Sequence, residues 1–210
     1  ALAGPPPILR QGDRALRPVR PGARTWAVEA TITTARAGDA ATWLTTFRRG
    51  VVPPEAAWVG AQGLRVERAW LDADGAPVDP AKVPLGQLIF SRLTVHNPGA
   101  DAVPHVALEE PLPAGVTVEP GRLGRVATPA WAAGAPLWRT THVDARDAHF
   151  RAYGRLPARS TVQVIHALRA TGAGNFHRPG VSVEAMYDPT LRARTPADTL
   201  VVQPRFAERI

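Results

Sequence analysis

Apolar and polar side chains alternate along most of this chain, and the alternation has a period of two. From Leu64 to Leu71 the order is Leu-Arg-Val-Glu-Arg-Ala-Trp-Leu, which places Leu64, Val66 and Trp70 on one side of an extended backbone. Leu88–Val95, Val103–Leu108, Val116–Val118, His149–Tyr153, Thr161–Ala170, Gly180–Tyr187 and Thr199–Val202 are rich in β-branched, aromatic or alternating residues and predict further strands. Between them lie Asp72-Ala73-Asp74-Gly75, His96-Asn97-Pro98-Gly99, Pro111-Leu112-Pro113-Ala114-Gly115 and Thr171-Gly172-Ala173-Gly174-Asn175, all of turn chemistry. The last of these predicts a hairpin or arch. Nowhere does an apolar period of 3.6 residues persist. Seven or so strands joined by turns predict an all-β fold, an antiparallel β-sandwich.

The first sixty residues follow a different rhythm. Residues 1–25 contain Pro5-Pro6-Pro7, Pro18 and Pro21; the arginines there are spaced by three and four, but proline lacks the N–H a helix needs, so this stretch is expected to be an extended arm. Trp26–Thr33 reads as a strand and Trp43–Phe47 as its partner, with the end of a preceding β module at residues 26–62. The main domain is expected over 63–204, followed by a tail at 205–210. Residues 120–140, which hold Trp131 and Trp138 among Gly and Pro, are the least regular part and are expected to be a loop capping the core.

Composition narrows the chemistry. There are 22 Pro and 18 Gly without a collagen-like period, which suits a fold with many turns. With no Cys, the chain has no disulfide, thiolate metal site or thiol nucleophile. The only Met is Met186 and the chain begins Ala1-Leu2-Ala3-Gly4, so it is expected to be a processed protein or a piece of a longer one. No apolar run approaches the roughly 20 residues that span a bilayer. The net charge of +7 is uneven: residues 1–25 carry five Arg against Asp13, a net of +4, which leaves +3 for the rest. Of the basic residues only Lys82 is not Arg, a usage typical of coding bias, and no nucleic-acid partner is expected.

Candidate chemistry is sparse. There is no Gly-x-Ser-x-Gly elbow, phosphate loop or dinucleotide fingerprint, and no two of the six His stand at the i, i+4 spacing of a metalloprotease helix. His142, Asp144, Asp147 and His149 form the tightest set of potential ligands, for which a polar turn at 144–147 is the favoured reading. Asp72, Asp74 and Gly75 resemble the start of a calcium loop but lack its downstream Glu, and a tight hairpin accounts for them. Glu109 and Glu110 are adjacent, so on a strand they face opposite ways and cannot act as an acid–base pair; Glu110 is expected to satisfy nearby backbone donors at a strand end. Of the Trp residues, Trp26 and Trp70 are expected in the core, whereas Trp58, Trp131 and Trp138 could offer an exposed binding platform. No catalytic, cofactor-binding or metal-binding residue is assigned, and no cofactor is expected.

Four pieces, in order, resemble the C-terminal end of bacterial alpha-2-macroglobulins: Gly63–Arg68 continuing to Asp74-Gly75-Ala76-Pro77-Val78-Asp79; Leu85-Gly86-Gln87-Leu88 leading into Leu93-Thr94-Val95; Glu109-Glu110-Pro111-Leu112-Pro113-Ala114-Gly115-Val116; and Val183-Glu184-Ala185-Met186-Tyr187-Asp188-Pro189 followed by Arg192 and Arg194. The resemblance is good over 63–203, weaker over 26–62 and absent over 1–25. It implies a terminal macroglobulin-like (MG10-type) domain, a β-sandwich of fibronectin- or immunoglobulin-like appearance, in a periplasmic or envelope-anchored protease inhibitor. The family traps proteases after cleavage of a bait region, often through a thioester built from a Cys-x-Glu-Gln motif. This sequence has no Cys, and 210 residues leave no room for a bait region and thioester domain. The resemblance therefore implies a non-catalytic structural part whose partners are other macroglobulin domains of the same or a companion chain, and target proteases through the full assembly. An independent envelope adhesion or scaffold module with the same fold is the alternative.

Overall fold

The computed structural model describes residues 58–119 and 129–204, together with three short strands nearer the N-terminus. The chain divides into two compact units, residues 1–51 and 52–210. In the first, β1 (Ile8–Gln11), β2 (Arg14–Ala15) and β3 (Thr34–Arg36) form an antiparallel sheet in the order β2-β1-β3. Extended backbone within residues 1–25 is thus paired in a small sheet. The expected strands Trp26–Thr33 and Trp43–Phe47, and the tail 205–210, lie outside the described residues.

The second unit holds three sheets. The largest has the order β10-β11-β8-β14-β15-β4, built from β4 (Gly60–Gln62), β8 (Val103–Pro111), β10 (Thr140–Arg146), β11 (His149–Leu156), β14 (Ser182–Ala185) and β15 (Asp188–Arg194). A four-stranded sheet runs β5-β7-β12-β9, from β5 (Arg65–Leu71), β7 (Leu88–Asn97), β9 (Val116–Val118) and β12 (Ser160–Ala170). The smallest has the order β13-β16-β6, from β6 (Val83–Pro84), β13 (Gly174–Arg178) and β16 (Asp198–Gln203). Every pairing is antiparallel except β16 with β6.

Alternation explains the layering. The inward residues Val66, Leu93, Val95, Val162 and Val164 of the four-stranded sheet meet Val106, Leu108, Phe150, Ala152, Val183 and Ala185 of the six-stranded sheet in one dry cluster. Burying such aliphatic side chains stabilises by about 1.5–3 kcal/mol each. Farther along the same face, Trp70, Ile89 and Leu168 pack with Val83, Leu200 and Val202 of the smallest sheet in a second cluster. The opposite face of the four-stranded sheet is covered by the segment around the 3-10 turn Ala130–Ala132, where Trp131 packs edge-on to Phe90 with ring centroids 6.1 Å apart.

Among the described residues the expected strands are present, with differences. His96 and Asn97 extend β7 rather than starting a turn, and residues 144–146 belong to β10, so the turn falls at 147–148. The 171–175 segment does not simply join two neighbouring strands. It leads into β13, which leaves the sandwich to pair with β16. β10 and β15 had no alternation to announce them: β10 is the exposed edge of its sheet and β15 begins Asp-Pro. At Asp72–Gly75, Asp72 Oδ1 accepts from the N–H groups of Asp74 and Ala76, and Gly75 takes φ +86°, a value that favours glycine.

Candidate functional site

Three places gather the polar and aromatic residues that could carry function: a buried polar seam, the hairpin joining β14 to β15, and the outer face of the six-stranded sheet.

The seam lies between the two main apolar clusters. Glu110 points inward from β8 and is completely buried; Ser91 of β7 donates to it at 2.8 Å, and Trp70 Nε1 of β5 donates at 3.4 Å. Arg68 Nη1 stands 3.5 Å from the same carboxylate and donates to the Pro179 carbonyl at 2.8 Å. His166 Nε2 of β12 lies 3.0 Å from Glu110 Oε2, but off the line of a directed hydrogen bond, and the ring stacks flat on Phe150 at 3.8 Å. Arg178 holds Asp198 through both carboxylate oxygens and lies 4.5 Å over the Trp70 ring. Burial pushes the Glu110 carboxyl up, but the His166 contact and charge, the Arg68 guanidinium and the Ser91 hydroxyl together hold it below the ordinary carboxylate range. Ser, His and Glu meet here without exposure to solvent or substrate. The arrangement can fix the register of the layers; it cannot present a nucleophile.

Glu110 therefore departs from the strand-end role expected of it: its partners are side chains from β5, β7 and β12, not backbone donors. It shares the buried face of β8 with Val106 and Leu108. Which cations and donors would meet it there depended on pairings between strands distant in sequence. Glu109, its neighbour, faces the opposite way and pairs with Arg151 at 2.6 Å.

The candidate ligand set at 142–149 comes together only in part. Asp144 accepts from Arg146 at 2.9 Å and stands 3.3 Å from His149, whereas the His142 ring leans against Tyr153 at 5.8 Å. The Arg146 hydrogen bond, then the His149 contact, keep the partly exposed Asp144 carboxyl below its ordinary range. Among the described residues no three His, Asp or Glu side chains are grouped to hold a metal. Asp72 is committed to its turn. Of the Trp residues, Trp70 is in the core as expected; Trp138, expected to be open, is buried, its indole N–H donating to the Arg155 carbonyl at 2.9 Å. Trp131 is half-buried over Phe90, leaving Trp58, 42% exposed, as the open one among those described. Trp26 and Trp43 lie outside the described residues.

The β14–β15 hairpin presents the most exposed of the large apolar side chains among the described residues. Met186 is 54% and Tyr187 80% exposed, and Tyr187 stands edge-on to His105 at 5.3 Å. His105 itself has φ +50°. Asp188 Oδ1 accepts from the Thr190 hydroxyl and N–H, which closes the far side of the turn. A second shallow depression, of about 360 Å³, lies at the sheet end near Arg65, His96 and Arg159.

Comparison with known proteins agrees with this architecture. Residues 63–190 match the family described as "Bacterial Alpha-2-macroglobulin MG10 domain". An alpha-2-macroglobulin of Pasteurella multocida is 27% identical over 139 residues, 63% of this chain and 6% of the relative, and that of Escherichia coli is 27% identical over 185 residues, 83% of this chain and 11% of the relative. The chain thus spans a small part of the curated relatives it matches. Among solved structures, the native conformation of E. coli alpha-2-macroglobulin superposes with a TM-score of 0.64 at 26% identity, covering 72% of this chain and 10% of that one. Salmonella alpha-2-macroglobulin reacted with methylamine gives 0.61 at 25% identity, covering 70% and 10%. The sandwich, its strand order and the matched residues together place this chain in the bacterial alpha-2-macroglobulin family, as an MG10-type macroglobulin domain.

Proposed function

We propose that the chain is a non-catalytic interaction module of an alpha-2-macroglobulin-like protease inhibitor, acting at the periplasmic or envelope side and contacting other macroglobulin domains. The Ser91–His166–Glu110 meeting is sealed inside the core, which leaves the surface as the part of the described residues open to a partner. The observation that carries the reading is the β14–β15 hairpin, which holds Met186 and Tyr187 out as the two most exposed large apolar side chains among the described residues. Large apolar groups cost solvation free energy when exposed, and a protruding pair of them suits a neighbour that covers it. Without Cys the chain has no thioester of its own, so a protease would be captured only through the rest of such an assembly. A few kcal/mol of interface free energy would bias a two-state neighbour between its arrangements.

The test is direct. Added at equimolar ratio to a general protease, the isolated chain is expected to leave turnover of a protein substrate unchanged. Stoichiometric inhibition would overturn the non-catalytic, assembly-dependent role.

A further inference from the structure

The outer face of the six-stranded sheet contains a slot beside the exposed β14–β15 hairpin. Strand register places Tyr153, Ala107 and Glu184 side by side across β11, β8 and β14. Neighbouring strands are about 4.8 Å apart, so the single methyl of Ala107 leaves a gap between a phenol ring and a carboxylate whose backbones are roughly 10 Å apart. Met186 closes one end; Ser182, another small side chain, continues the floor beside Glu109 and Arg151. The depression has a volume of about 290 Å³.

The charges around it are unevenly matched. Glu109 is already paired with Arg151. Glu184 stands opposite Arg192, yet that guanidinium turns away to lie 4.5 Å over the Trp58 ring. No cation among the described residues lies within ion-pair distance of Glu184. A flat slot with an aromatic wall, a thioether end and one uncommitted carboxylate has the complement of a guanidinium: planar, cationic, able to stack on a ring and to donate two parallel hydrogen bonds. The Arg192–Trp58 pair next to it shows the same face already accommodating a stacked arginine.

We propose that the Tyr153–Ala107–Glu184 slot is an anchor site for an arginine side chain presented by a partner protein surface, the guanidinium stacking on Tyr153 and pairing with Glu184 while its alkyl stem lies along Met186. This extends the interaction reading by naming the chemistry of the partner. Because Met186 is the only methionine, its methyl carbon gives one resonance that reports on the slot; Met186→Leu assigns it. The probe is N-acetyl-arginine methylamide, with the citrulline analogue as a neutral control of the same shape.

Saturable movement of the Met186 methyl signal is expected with the arginine probe, at least tenfold weaker in Glu184→Gln or with citrulline, and lost in Ala107→Leu, which fills the slot from an outward-facing position. Unchanged thermal unfolding of both variants shows that the fold is intact. No saturable shift, or equal responses from arginine and citrulline, would overturn the arginine anchor. The protease experiment above is independent of this result, so the slot and the assembly role can fail separately.

Discussion

Glu110 illustrates how much one position depends on its surroundings. It is a fully buried carboxylate, and its ionised form persists because Arg68, Ser91, Trp70 and His166 meet it there. Glu110→Ala removes the anion and leaves the buried Arg68 guanidinium with only its longer 3.9 Å contact to Asp198; a loss of about 3–5 kcal/mol is expected in urea unfolding. The same carboxyl gives the stability curve a sign. Its value in the folded protein is depressed, so its contribution is present above the ordinary carboxylate range and disappears as pH falls through the folded value below that range. Urea midpoints followed from neutral pH into acid are expected to fall less steeply in Glu110→Gln than in the natural sequence. A steeper fall in the variant would contradict the depressed carboxyl. Gly180 makes a different demand: a Cβ there would overlap the Thr195 carbonyl oxygen, and that carbonyl belongs to backbone that cannot swing aside as a side chain could. Gly180→Ala is expected to cost roughly 1–3 kcal/mol, read as a lower unfolding midpoint with unchanged slope.

At the scale of elements, the segment around Ala130–Ala132 acts as a cover. Phe90 and Ile165 point away from the sandwich interior, and Trp131 with Ala132 shields them from water. Trp131→Ala is expected to lower stability by about 2 kcal/mol, less than a fully buried aromatic because the ring is only half-buried. Amide exchange should accelerate first at the centres of β7 and β12 near those two residues; uniform acceleration across all three sheets would show that the cover has no local role. The polar seam plays the complementary part. Arg68 and Trp70 of β5 reach Arg178 and Asp198, and so tie the smallest sheet to the four-stranded one beside their shared apolar cluster.

On the scale of the whole molecule, all three apolar clusters of the second unit draw on residues between Leu64 and Val202. A chain beginning at Val52 is therefore expected to unfold cooperatively, with coincident fluorescence and far-ultraviolet transitions at the midpoint that the full chain shows for this unit. Separate transitions for the two probes would refute an independent core.

The β class and most strands of the sandwich follow from the sequence because alternation is a local property: Leu93 and Val95, or Val162 and Val164, share a face whatever their partners. That Glu109 and Glu110 face opposite ways follows for the same reason. The family, too, is legible in short motifs, since the Leu-Pro-Ala-Gly turn and the Ala-Met-Tyr-Asp-Pro hairpin are contiguous. Tertiary structure alone decided what Glu110 meets, that Trp138 is buried, that β13 leaves the sandwich, and that Ala107 lies between Tyr153 and Glu184. Each of these depends on strands brought together from distant parts of the chain. Pairing at that range is set by the packing of whole faces, which no local pattern encodes.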